Sequence, residues 1–341
     1  MVLLVGLLAA ACTGGSDEAG DDLLLDRGET VLQFEGAGEL RMGGTLAMPA
    51  RPGGGPVGAV LIVPSIARND RNGYLDVIPA DPVYEDLSKA ITGAGLAAFR
   101  YDRRGMGASK LEAAQQPTFE DMVTDAHQAL LFLAERSGID AGNLAIVGHD
   151  VGGIIAMRVA ASDDKVKRVV LLSTPGRPLV DVMAGGFESA HGPASAEAFR
   201  SVIGTLLSTG ALPERTAIRP EHQTILPVGQ DGVLRAVYAI DPVAEAAKLT
   251  VPALVVTGSQ STGVGAADGE RLRAALPSEQ AFTAETTATL QTVTAGVPQS
   301  FDPNDHRAHG GGRPPDTATR DQAAVDRIAA FLSSKNPGSR Q

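Results

Sequence analysis

Apolar residues follow two rhythms along this chain, short unbroken runs and longer stretches with one apolar face, and the two alternate. Val57-Gly-Ala-Val-Leu-Ile-Val63 is a continuous apolar run of strand length, as a parallel strand buried on both faces requires. Leu96 to Tyr101, Val166 to Leu172 and Val251 to Thr257 are further strands. Helical patterns stand between them. Asp81 to Ala94 opens on Asp-Pro and closes near Gly95. Thr118 to Arg136 places Phe119, Met122, Val123, Ala126, Ala129, Leu130 and Leu133 on one face, with Thr118 and Asp121 as a capping-box start and Gly138 as a stop. Ala266 to Leu276 is another helix, and Thr317 to Leu332 closes the chain with Val325, Ile328, Ala329 and Leu332 towards the sheet. Ahead of all these, Thr30 to Glu35 and Glu39 to Met48 form a hairpin around Gly36-Ala-Gly38. Alternating strands and helices predict a doubly wound α/β architecture with a mostly parallel sheet.

The rhythm fails twice. From Thr174 to about Asp241 the chain is rich in Gly, Pro and Ala with short amphipathic pieces such as Ala196 to Leu207, and a helical lid inserted between strands explains it most economically. Residues 278–316 are Thr- and Ala-rich and poorly patterned, so the last strand cannot be placed there. The sharpest local signal is Asn143 to Ala156, an apolar strand that breaks at Gly148-His149-Asp150-Val151-Gly152 and resumes as an apolar helix. This is the form G-x-nucleophile-x-G, whose small residues let the chain turn so tightly that the central side chain projects above the sheet. Here that side chain is a carboxylate.

A net charge of −11 over 341 residues leaves no basic surface for a phosphate backbone, which argues against a nucleic-acid partner. Cys12 is the sole cysteine, so neither an internal disulfide nor a thiolate metal site is possible. It closes the run Val2 to Ala11, which is too short to span a bilayer and of the length of a signal-peptide core. Small residues leading into a cysteine resemble a bacterial lipobox, with Leu8 one position further back than that pattern prefers. The resemblance implies a signal peptide over residues 1–11, then a lipidated Cys12 and polar tether over residues 12–28. It implies export and a membrane partner through the lipid anchor at Cys12. No Lys or Arg precedes Arg27, so Met1 need not be the true start.

Three ordered stretches carry a broader resemblance. Val60 to Gly73 resembles a strand followed by the loop P-G-S-G-P-x-D-R-x-G, Tyr101 to Ser109 the turn Y-D-x-R-G-x-G-x-S, and Gly148 to Gly153 the elbow G-H-S-x-G-G. Ala239-Ile-Asp-Pro242 matches the D-P that ends a lid. Together they resemble the α/β-hydrolase superfamily, in its serine-aminopeptidase-like and secreted-esterase group, over roughly residues 57–335. The resemblance implies an α/β-hydrolase fold over residues 29–335, with the lid at about 174–241 and a tail at 336–341. It implies a small-molecule substrate, no cofactor, and oxyanion-hole backbone groups at Ile66 and Val151.

Departures from the pattern are as informative. A serine triad needs a nucleophile, a histidine and an acid that orients it. Asp150 stands at the nucleophile position, and Ser261, in Gly258-Ser-Gln-Ser261, stands where the orienting carboxylate belongs. The histidine survives as His306 or His309, with Asn304 favouring His306. Asp268, Asp302 and Asp305 are candidate replacement acids. Three functions compete: a hydrolase of ester or related bonds using Asp150 and His306; an Asp-nucleophile enzyme acting on an epoxide or halide; and a non-catalytic binding lipoprotein with a degenerate triad. Against the second, Val151 stands where a dehalogenase has tryptophan, and Tyr238 is the lone tyrosine of the lid.

Other polar residues have plainer readings. Asp102, Arg103 and Arg104 brace a turn, Asp70 and Arg71 hold the loop after the first parallel strand, and His127 and His149 pack. His191 and His222 are at best weak substrate contacts. His306, His309, Asp302 and Asp305 read as solvated loop residues, so no metal is expected, and the absence of G-x-G-x-x-G or G-K-[ST] argues against a bound nucleotide.

Overall fold

A computed structural model describes residues 23–25, 28–50, 54–66, 70–73, 83–112, 117–226, 228–258, 263–277, 281–286 and 322–334. Among them, nine strands form one sheet: β1 (Leu23–Leu25), β2 (Glu29–Glu35), β3 (Arg41–Ala47), β4 (Val57–Val63), β5 (Ala97–Tyr101), β6 (Ile139–His149), β7 (Val166–Leu172), β8 (Ala253–Gly258) and β9 (Ala281–Thr286). The spatial order is β1-β2-β3-β5-β4-β6-β7-β8-β9. The first three strands run antiparallel to their neighbours, and every pairing from β5 through β4 to β9 is parallel. Parallel strands need helical crossovers, and here these cover both faces.

Strand alternation divides the core in two. Leu61, Val63, Leu144 and Ile146 point to the face covered by α2 (Phe119–Ala134) and α3 (Val151–Ser162). Val60, Ile62, Ala145 and Val147 point to the other, covered by α1 (Val83–Gly93) and α10 (Gln322–Ser333). The predicted face of α2 is buried at Phe119, Met122, Ala126, Ala129, Leu130 and Leu133, and its start is a complete capping box between Thr118 and Asp121. Such a box satisfies two of the amide donors that a helix leaves open at its first turn.

Between β7 and β8 the chain forms α4 (Leu179–His191), α5 (Pro193–Thr209), α6 (Pro220–Gln223), α7 (Asp231–Tyr238) and α8 (Pro242–Ala246). The expected short pieces are thus two full helices, of 13 and 17 residues, followed by three short ones. Gly192, at φ +83, separates the first two, and Pro193 starts the second at a position where its missing N–H costs nothing. Asp241 caps α8 by accepting from the Val243 and Ala244 amides. In the segment where no strand could be placed, β9 pairs in parallel with β8 from Ala281↔Ala253 to Thr286↔Gly258. Helix α9 (Ala266–Ala275) precedes it.

Candidate active site

The site begins with backbone strain. Asp150, between β6 and α3, has φ +54 and ψ −126, a conformation that non-glycine residues rarely adopt. Its N–H donates to the Leu172 carbonyl at 2.9 Å and its own carbonyl accepts from Gly153 at 2.9 Å, so neighbouring elements hold the turn. Three glycines make it possible. A Cβ on Gly148 would lie 2.4 Å from the Gly152 carbonyl oxygen, one on Gly152 2.4 Å from the Pro64 carbonyl oxygen, and one on Gly153 1.8 Å from Thr174 Oγ1. Side chains cannot fit at those distances, which is the physical reason for the spacing in the sequence.

The Asp150 carboxylate is 2 % exposed and accepts a 2.6 Å hydrogen bond at Oδ2 from Ser65 Oγ. Burial raises its pKa to about 6, against the opposing pull of the Ser65 hydroxyl and the Val151 backbone N–H. At neutral pH it is largely ionised, yet basic enough to take a proton. Ser65 follows β4 by two residues, and its backbone N–H donates to Tyr84 Oη at 2.9 Å. Tyr84 Oη lies 2.9 Å from His149 Nδ1, in an edge-on ring pair. Burial pushes the His149 pKa down to about 4, so its imidazole is neutral. We assign the tautomer from the bonding: Nδ1 accepts and the tyrosine hydroxyl donates. Asp150, Ser65, Tyr84 and His149 therefore form one buried polar network.

The loop after Ser65 is braced as expected. Asp70 Oδ1 accepts from the Asn72 and Gly73 amides, and Arg71 donates its amide and Nη1 to Asp102. Asp102 also accepts from the Ala108 amide, closing the turn. Arg104 instead makes a two-point pair with Asp125 of α2, both contacts 2.6 Å. His127 is tied to Asp163 at 2.9 Å.

Several sequence readings need correction or completion. His149 packs as expected but also orients Tyr84, and through it Ser65. His222 is fully buried in the lid, where Nε2 lies 3.0 Å from Ser195 Oγ and Phe187 and Phe199 pack against the ring. Asp268, one of the candidate replacement acids, accepts from the Gly176 and Gly265 amides and from Arg177 Nε. Tyr238 packs edge-on against Phe199 within the lid core. Ile66 and Val151 adjoin Ser65 and Asp150, half-buried and buried respectively. Cys12, Ser261, Asp302, Asp305, His306 and His309 lie outside the described residues. Among the described residues no group of three or more His, Cys, Asp or Glu could hold a metal, and no helix is long and apolar enough to cross a membrane.

Sequence reasoning missed Ser65 and Tyr84. For Ser65 a signal existed: in the loop pattern P-G-S-G-P, aligned from Pro64, the serine occupies the glycine that follows the proline. Tyr84 offered none, being one apolar-facing residue of an ordinary helix.

Residues 82–219 match the family model described as serine aminopeptidase, S33. The esterase EstD of Thermotoga maritima is 25% identical over 221 residues, which is 64% of this chain and 50% of that protein. The polyketide transferase grgF of a Penicillium species is 26% identical over 104 residues, 30% of this chain and 34% of that protein. The chain thus spans half or less of the length of these curated relatives. The crystal structure of the α/β hydrolase GrgF from Penicillium sp. sh18 superimposes with a TM-score of 0.57 at 15% identity, covering 89% of this chain and 97% of that one. Est1E from Butyrivibrio proteoclasticus gives 0.53 at 14% identity, covering 89% and 97%.

Proposed function

We propose that this chain is an α/β-hydrolase-type hydrolase of ester or related bonds in a small molecule, with Asp150 as the ionisable centre of its site; the match of residues 82–219 to a serine aminopeptidase model and the fold shared with solved α/β hydrolases support the family. The observation that carries this reading is the strained turn at Asp150, maintained by three glycines with no room for a side chain. Strain of this kind persists only where surrounding structure over-determines it, and it presents one group at the carboxyl ends of the parallel strands. A carboxylate with a pKa near 6 is matched to proton transfer at neutral pH. His306 supplies the second proton-transfer group, and the Ile66 and Val151 amides receive the developing oxyanion. The similarity to a protein named as an esterase supports the bond class. The run before Cys12 supports export and a lipid anchor at the extracytoplasmic face.

A panel of nitrophenyl esters tests the activity. Turnover is expected in the wild type, with an acid limb near pH 6 in kcat/KM because Asp150 must be ionised. Asp150→Asn is expected to lower kcat/KM at least 100-fold. Undiminished turnover in that variant would remove Asp150 from the mechanism. A second reading, a binding lipoprotein without catalysis, draws on the burial of Asp150 at 2 % exposure. It gains if none of the esters is turned over while small esters still raise the melting temperature.

A further inference from the structure

The hydroxyl that the elbow lacks stands directly opposite it. Ser65 Oγ donates to Asp150 Oδ2 at 2.6 Å, a short charge-assisted bond between residues 85 positions apart in the chain. Both positions depart from the patterns quoted above: a carboxylate where the elbow has serine, and a serine where the loop has glycine. The two departures meet in space. We propose that Ser65 is the nucleophile of this site and that Asp150 is the base that receives its proton. This deepens the hydrolase reading and rests on it.

Geometry supports this division of roles. Ser65 is fixed from three sides. The carbonyl of the preceding Pro64 packs against Gly152, the Ser65 amide is bonded to Tyr84 Oη, and the side chain lies on Asp150. A hydroxyl that donates to a carboxylate is polarised towards attack by the base that will take its proton, and fixing it in advance supplies much of the rate advantage of an enzyme. Asp150 is the poorer nucleophile of the two. Its Oδ2 is already engaged, and attack by a carboxylate on an ester would give an anhydride, whereas attack by a hydroxyl gives a less reactive ester. Burial leaves Asp150 more basic than an ordinary aspartate, as a proton acceptor should be. Tyr84 and His149 serve as positioning residues, since they touch Ser65 or its partner and not the reacting bond.

The reaction balances with water as the only co-substrate. A lone pair of Ser65 Oγ forms a bond to the ester carbonyl carbon while its proton passes to Asp150 Oδ2 and the carbonyl π electrons move onto oxygen. The tetrahedral adduct collapses, the C–O bond to the alcohol breaks, and that oxygen takes the proton from Asp150. This leaves an acyl ester on Ser65 and an ionised Asp150. Water then attacks the acyl carbon, Asp150 takes its proton and returns it to Ser65 Oγ, and the carboxylic acid leaves.

Treatment of the purified full-length protein with a fluorophosphonate, followed by peptide mass mapping, tests the assignment alongside nitrophenyl acetate turnover. The expected result is a phosphonyl adduct on Ser65, absent in Ser65→Ala and reduced at least 100-fold in rate in Asp150→Asn. Ester turnover should fall at least 100-fold in Ser65→Ala and be partly retained in Ser65→Thr, which keeps a hydroxyl on the carboxylate. Thermal melting reports whether each variant is folded, and mapping the wild-type adduct needs no variant at all. If the wild type hydrolyses the ester and folded Ser65→Ala does so equally well, or if the adduct lies elsewhere, Ser65 is not the nucleophile and the hydrolase reading survives. An adduct on Ser65 without turnover of any ester keeps the nucleophile and removes the ester substrate class. Neither adduct nor turnover overturns both.

Discussion

Ser65, Asp150 and His149 at the end of the sheet, and Ser195, Glu221 and His222 in the lid, are the same three kinds of side chain in two settings. In the lid, Ser195 Oγ donates to Glu221 Oε1 at 2.9 Å and lies 3.0 Å from His222 Nε2. In both clusters the acid accepts from the serine hydroxyl. His222 Nδ1, where a triad would place its acid, is buried and has no hydrogen-bond partner. Ser195 lies in the first turn of α5, and His222 lies in α6. The Glu221 pKa is lowered by hydrogen bonds and nearby positive charge, despite an opposing contribution from burial. At the sheet end the acid sits on a positive-φ turn, its pKa is raised by burial, and Gly148 and Gly152 on either side of it lie against backbone. Residue types alone therefore do not distinguish a site from a structural knot. Backbone strain and the direction of the pKa shift are where the two clusters differ.

That contrast can be broken most forcefully at Gly153. An added methyl group would lie 1.8 Å from Thr174 Oγ1, so Gly153→Ala is expected to cost about 3 kcal/mol or more, read as a large drop in melting temperature. The same change at Gly204, in α5 with nothing within 4 Å of its added methyl, should leave stability unchanged or raise it by up to about 1 kcal/mol. Equal responses at the two glycines would mean that the elbow is no tighter than a lid helix.

The next effect comes from the charge at Asp150. Its folded pKa is raised from 3.8 to about 6, so between those values the native state binds the proton that the unfolded chain has released. Stability therefore falls as pH rises through that window, and the cost is complete above pH 6. The rise corresponds to up to about 3 kcal/mol at neutral pH. Asp150→Asn should melt higher than the wild type at pH 7.5 and alike near pH 4. His149 runs the other way: its folded pKa is depressed to about 4, so it favours the native state above pH 6.5 and ceases to do so as pH falls towards 4. A melting profile unchanged by Asp150→Asn at pH 7.5 would show the carboxylate to be solvated, and the asymmetry between the two clusters would disappear.

How much of this could be read from the chain depended on whether the cause was local. β4 begins and ends where its apolar run does, because a buried parallel strand needs continuous apolar residues. The elbow was legible for the same reason, since the close approaches that demand glycine recur at fixed offsets from Asp150. The lid helices were obscured by Gly185, Gly186 and the Gly192-Pro193 break, which interrupt a pattern that packing nevertheless supports. β9 escaped because Ala281-Phe-Thr-Ala-Glu-Thr286 has one large apolar residue, and β8 supplies its pairing. Ser65 and Tyr84 were missed because their partners lie 85 and 65 positions away, and no periodicity reports such contacts.

The finest test of the comparison is Ser195→Ala. It removes the donor to Glu221 and the group facing His222 Nε2, while the ring remains enclosed by Phe187 and Phe199. Leaving one buried imidazole nitrogen unsatisfied should cost about 1 to 2 kcal/mol, and Glu221, being partly exposed, can turn to water. Burial holds the His222 pKa down, while Arg219 and His191 lower it further and Glu221 opposes them. The unfolded histidine therefore gains a proton that the native one resists, and lid stability should decline as pH falls through the ordinary histidine range in both wild type and variant. Hydrogen exchange along α4 and α5 would register the loosened knot. Ester turnover should change less than twofold, because the bonds and ring contacts of this cluster are made within the lid. A loss comparable to that of Ser65→Ala would mean that the lid serine is coupled to the chemistry and that the two clusters form one site.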